Sequence, residues 1–90
     1  MIVKLDKERN LRFDLAAISK FEEETGKNFF QAGTFDSLKT KEWISLIWAG
    51  LLYDDPTLTQ EQVGHLVDLP TMTTIIGMIG KGGNEDKSPL

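Results

Sequence analysis

Thr40 to Asp68, TKEWISLIWAGLLYDDPTLTQEQVGHLVD, is the stretch that decides the fold. It reads as two helices joined by a tight acidic turn. Trp43, Ile44, Leu46, Ile47, Trp48, Leu51 and Leu52 are apolar around most of the first helix, Lys41 to Tyr53. A helix with so little polar surface must be covered on several sides, which makes it the centre of a small domain. Thr40 is placed to cap it, and Glu42 sits in the first turn, where the helix dipole favours an anion. Asp54-Asp55-Pro56 stops it, because the residue before a proline is pushed out of the α region. Thr59-Gln60-Glu61-Gln62 then has the spacing of a capping box for a helix from Gln60 to Val67. Leu58 and Val63 stand at the positions of a hydrophobic staple.

Toward the N-terminus, Ile2-Val3-Lys4-Leu5 alternates as a short strand. Leu11-Arg12-Phe13 is its expected antiparallel partner across the polar turn Asp6 to Asn10. A lone hairpin is marginal in water, so it must lie on the helices. Asp14 caps a helix predicted over Leu15 to Thr25, with Gly26 closing it in a left-handed conformation. Leu15, Ile18 and Phe21 form its apolar stripe. Glu22-Glu23-Glu24 near its end either forms a solvated face or offers an acidic patch to a basic partner. Phe29, Phe30 and Phe35 lie in a short connector that plugs the core or presents a sticky surface.

Toward the C-terminus, Asp68-Leu69-Pro70 breaks the chain before a last helix, about Thr71 to Ile79. Its interior Gly77 costs about 1 kcal/mol relative to alanine. From Gly80 the chain reads GKGGNEDKSPL. The expected organisation is one helical domain with an N-terminal hairpin over residues 1–80 and a flexible tail over 81–90. The fold class is mainly α: a bundle of four to five short helices with an N-terminal β-hairpin.

The 90 residues include no cysteine, so neither a disulfide framework nor a thiolate metal site is available. Ten Lys and Arg against 14 Asp and Glu give a net charge of -4 and a pI near 4.8. That balance disfavours non-specific binding to nucleic acid or anionic membranes. The longest apolar run is far short of the ~20 residues a membrane span needs, and no signal-peptide pattern opens the chain. A soluble, cytoplasmic protein is expected.

Catalysis finds little to work with. His65 is the single histidine, on a helix expected to bury Val63, Leu66 and Val67, and it points to the rim or to solvent. Asp54 and Asp55 are ordinary turn acids. Asp6, Glu8 and Asn10 imitate alternate ligands of a calcium loop, without the glycine and distal glutamate that would complete it. No glycine loop followed by lysine is present for phosphate. No enzyme activity, cofactor or metal is expected. TQEQVGHLVDLPTMTTIIGMI has the outline of a helix-turn-helix. Its second helix, however, offers Thr71, Met72, Thr73, Thr74 and Gly77 where a groove reader needs basic and amide side chains. Protein interaction is what remains. Met72, Ile75, Ile76, Met78 and Ile79 either pack in the core or form a client-binding surface on the last helix, where methionines suit varied partners. The hairpin edge offers a second route, by strand addition.

Three segments carry a family resemblance: the LRFD lead-in to the first helix, its FEEETGKN exit, and the block LIWAGLLYDDPTLTQEQVGHLVDL. Over Val3 to Leu69 the chain resembles the small tail-assembly chaperones of long-tailed phages, in the branch with prophage and gene-transfer-agent relatives. These segments make the fold and mark no site. The resemblance implies a mainly helical protein that binds the tape-measure protein during tail morphogenesis. It also implies absence from the mature virion. A longer frameshifted product that recruits tail-tube protein is a further expectation of this kind; the sequence leaves both a monomer and a homo-oligomer open. Two rival readings are a structural tail or head component and a small acidic regulator of a host protein.

Overall fold

The computed structural model of the protein describes residues 2–31 and 33–87, with side chains through residue 78. Strands β1 (Ile2–Lys4) and β2 (Glu8–Asn10) form an antiparallel hairpin. They are followed by helices α1 (Leu15–Thr25), α2 (Thr40–Leu51), α3 (Gln60–Leu66) and α4 (Leu69–Lys87), with a 3-10 turn at Phe35–Ser37 before α2. The chain is mainly helical with an N-terminal hairpin, as its sequence predicts.

Helix α2 is the axis of the packing. Leu46 and Ala49 face α1, where they meet Ala17 and Phe21. Ile47 and Leu51 face the other way, toward Val3 and Leu11 of the hairpin segment, Leu58 and Val63 at α3, and Ile75 of α4. Burial on two sides of one helix explains why its sequence is apolar almost all round. Glu42 closes its first turn by accepting from the Lys39 N–H at 2.9 Å. The start therefore lies one residue earlier than expected, with Lys39 and not Thr40 at the cap position. Trp43 and Trp48 are half-buried, not core residues in full. The Trp48 indole N–H donates to the Leu58 carbonyl at 2.9 Å and so pins the connector that leads to α3.

The local signals at helix ends are realised. The Asp14 carboxylate accepts from the Ala17 N–H at 3.0 Å, and Gly26 closes α1 with φ 74°. Thr59 Oγ1 accepts from the Gln62 N–H at 3.1 Å, while the Gln62 side chain accepts from the Thr59 N–H at 2.9 Å. Leu58 and Val63 are both buried in one cluster, which completes the staple. Ser45, Gln60 and Glu24 then tie three helices together. The Ser45 hydroxyl donates to Gln60 Oε1 at 2.9 Å, and Gln60 Nε2 donates to Glu24 at 2.9 Å.

The hairpin departs from expectation in its pairing. Val3 lies opposite Arg9, so Glu8–Asn10, and not Leu11 to Phe13, forms the second strand. A shorter turn closes because Asp6 accepts from the Lys7 N–H at 2.9 Å and takes the Arg9 guanidinium in two parallel bonds of 2.8 and 2.9 Å. Leu11 is thereby released to run along α2, fully buried, and the Arg12 N–H donates to the Gly50 carbonyl at 2.8 Å. Arg9 is itself only 6% exposed and reaches Asp55 at 3.4 Å, which ties the hairpin to the turn between α2 and α3.

Two further expectations are corrected. Leu15 is 75% exposed; the buried face of α1 is Ala17, Ile18 and Phe21. At 100° per residue Leu15 stands roughly 110° around the helix from the centre of that face. Helix α4 starts at Leu69, not Thr71, because the Asp68 carboxylate caps the Thr71 N–H at 2.9 Å. Pro70 is tolerated in the first turn, where its missing N–H would have had no partner. The helix then continues past Ile79 to Lys87, so residues 81–87 of the expected tail are helical. Once a helix is nucleated, each added residue costs no new nucleation, and a polar segment can extend it. Residues 88–90 lie outside the described residues.

Candidate functional site

The side chains expected to hold a client are divided by the fold. Ile75 is fully buried in the core, and Met78 packs partly buried against the same cluster. Met72 and Ile76 reach the surface together, and the Ile79 side chain lies outside the described residues. One hydrophobic helix thus has an inner edge that anchors it and an outer edge that is open.

That outer edge walls an apolar groove of about 330 Å³. Trp43, Ile44 and Ile47 of α2, Val63 and Gly64 of α3, Val67 just after α3, and Leu69, Met72 and Ile76 of α4 line it. Leu69 is 83% exposed and Ile76 42% exposed, so the lip is apolar as well as the interior. Thr40 and Asp68 are the polar residues among the described lining residues. Hydrogen bonds from the Thr71 hydroxyl and backbone N–H hold the Asp68 carboxyl below the usual carboxylate range, which keeps it ionised.

An aromatic ledge continues the groove. Phe35 stacks on Trp43 with centroids 5.8 Å apart. Phe29 meets Phe35 and Phe30 edge-on, both at 5.2 Å, and reaches inward to Phe21 at 6.0 Å. The connector therefore plugs the core with Phe29 and leaves Phe30 71% exposed. Phe29 follows the core-plugging reading, and Phe30 is an exposed ring.

The polar candidates are drawn into structure. Glu22 accepts from the Phe29 N–H at 3.0 Å, Glu23 pairs with Lys20 at 3.5 Å and Glu24 receives Gln60. Glu22 is thus held within the domain, while Glu23 and Glu24 make their contacts on the exposed surface. Asp6 is engaged by Arg9, which lowers its pKa from 3.8 to about 2. Asp55 is lowered chiefly by the Thr57 hydroxyl and N–H, with Arg9 adding to the effect. His65 is exposed in the last turn of α3 and does not line the groove. On α4 the Thr73 and Thr74 hydroxyls turn back to the Leu69 and Pro70 carbonyls at 3.1 and 3.2 Å. Among the described residues no group of three or more His, Cys, Asp or Glu side chains could hold a metal ion, and no helix is long and apolar enough to cross a membrane.

Sequence reasoning found Met72 and Ile76 but missed Leu69, Trp43, Ile44, Gly64 and Val67 as parts of one surface. The Asp68 cap was the available signal: moving the start of α4 back to Leu69 places residues 69, 72 and 76 on one edge. Compared with known proteins, the chain matches no family model, and no curated protein or solved structure is significantly similar to it.

Proposed function

We propose that the protein is a non-catalytic tail-assembly chaperone that holds the tape-measure protein of a long-tailed phage or prophage through the groove between α2, α3 and α4. The observation that carries this reading is the groove itself, with Leu69 and Ile76 on its lip, in an acidic domain. A soluble monomer seldom leaves a contiguous apolar surface open without a partner for it. The sequence resemblance supplies the identity of that partner. A holdase needs apolar grip to shield its client and excess charge to keep the complex dispersed, and the residues described here offer both.

On this reading the chain works in the host cytoplasm during tail morphogenesis and leaves before the virion is complete. A longer frameshifted product would recruit the tail-tube protein. Immunoblotting of purified particles and of the matching cell lysate tests this. The chain should be abundant in the lysate and absent from particles. A fixed number of copies per particle would make it a structural tail or head component instead.

A further inference from the structure

We infer that the groove accepts a partner α-helix, with bulky apolar residues along one face and a Lys or Arg at the edge of that face. The inference rests on the groove being the working surface proposed above, and not on which protein supplies the helix.

The form of the occupant follows from what the groove lacks. Apart from Val67 and Asp68 in the link between α3 and α4, its described lining residues lie on three helices, whose backbone groups are bonded within those helices apart from the ends. Among the described residues no strand edge borders it, so an extended peptide entering it would bury N–H and C=O groups without partners. A helix satisfies its own backbone and presents anchors at i, i+3 or i+4 and i+7.

Gly64 sets how closely that helix can approach. A Cβ there would lie 3.5 Å from Ile44 Cδ1, an ordinary contact, so no packing demands glycine at this position. Glycine inside a helix costs about 1 kcal/mol relative to alanine, and this one faces the groove. Its missing side chain leaves that part of the groove open.

The size of the surface argues against a second copy of this chain. Eleven described residues line the groove, against the ~20–30 per side of a standard stable interface. Helix-in-groove recognition works with a few anchors. Charge argues for a basic flank on the partner. Asp68 is the charged residue among the described lining residues, it is exposed, and the whole chain carries -4. Lys39 and Lys41 flank Thr40 in sequence without lining it.

Three synthetic peptides of about four helical turns test this. The first carries leucines on one face with flanking lysines, the second replaces the lysines by glutamates, and the third has the first's composition with the leucines dispersed around the helix. Titration is followed through the two tryptophan indole N–H resonances. The first peptide should move the Trp43 signal and leave Trp48, whose indole N–H is held by Leu58, nearly in place. The Glu peptide should bind more weakly and the dispersed one should not bind. Asp68→Asn keeps the cap and should weaken the Lys peptide about two- to fivefold. Gly64→Leu should keep a cooperative thermal transition and lose at least about tenfold in affinity.

Equal binding of the dispersed peptide, or undiminished binding by folded Gly64→Leu, would overturn the inference. So would a Trp43 signal that shifts on dilution alongside a dimer in sedimentation, since a second copy would then fill the groove. Binding of the Lys peptide by a chain that recovers no tape-measure protein from cells would uphold this inference and remove the chaperone reading.

Discussion

Two glycines on opposite sides of the core should respond to the same substitution in opposite ways. Gly50 lies in the last turn of α2, where the segment from β2 to α1 crosses it. A Cβ built there would lie 2.6 Å from Phe13 Cε1 and 2.9 Å from Leu11 Cδ1. Leu11 is fully buried and Phe13 is held between both core clusters, so neither can yield freely. Gly50→Ala therefore gains about 1 kcal/mol of helix propensity and loses about 1–3 kcal/mol to overpacking. Gly64→Ala gains the same propensity and meets only the 3.5 Å contact with Ile44. The propensity contributions cancel in the comparison, which leaves Gly64→Ala more stable than Gly50→Ala by about 1–3 kcal/mol. With a urea slope near ~1 kcal/mol/M for so small a domain, the two midpoints should differ by about 1–3 M. Equilibrium urea unfolding followed by far-UV circular dichroism gives both midpoints. Coincident midpoints would refute the close crossing at Gly50 and with it the position of the hairpin on α2.

Ile75→Ala should cost about 2–5 kcal/mol in the same assay, because Ile75 is the fully buried anchor of α4; Ile75→Asp should unfold the domain, whereas Ile76→Asp should leave it folded. Acid should weaken the fold as Asp6 is protonated. Its folded pKa, about 2, lies below the ordinary 3.8, so its contribution is complete above about pH 4 and is lost as pH falls toward 2. Asp6→Asn should flatten the urea midpoint against pH over that window, and an unchanged slope would mean that the Arg9 clasp does not act on stability. Asp14→Ala should cost about 0.5–2 kcal/mol by removing the cap of α1.

The legible parts of this fold are those written within a few residues. Asp14, Gly26, Thr59 with Gln62, and the staple of Leu58 and Val63 each involve neighbours along one turn, so spacing alone specifies them. The centrality of α2 was also legible, because a helix apolar on two sides has few other places to go. What spacing could not supply depends on several elements at once. Arg9 is buried because Asp6 and Asp55, 46 residues beyond Arg9, converge on it. The strand pairing follows from that ion pair and not from alternation. Leu15 fits an i, i+3 stripe yet misses the buried face, since the apolar face of α1 packs on α2 over a narrow arc. The groove is harder still. Its walls come from three helices, and the division of Ile75 from Ile76 between core and lip depends on the rotation of α4. Only the packed structure fixes that rotation.

The most direct test of the groove as the client surface is affinity capture from cells in which the phage or prophage is assembling tails. The tagged wild-type chain is compared with the double variant Leu69→Asp and Ile76→Asp, both changes lying on the exposed lip. Tape-measure protein should be recovered with the wild type and lost with the folded variant. Equal recovery by both, or recovery of virion subunits or a host protein in its place, would contradict the account.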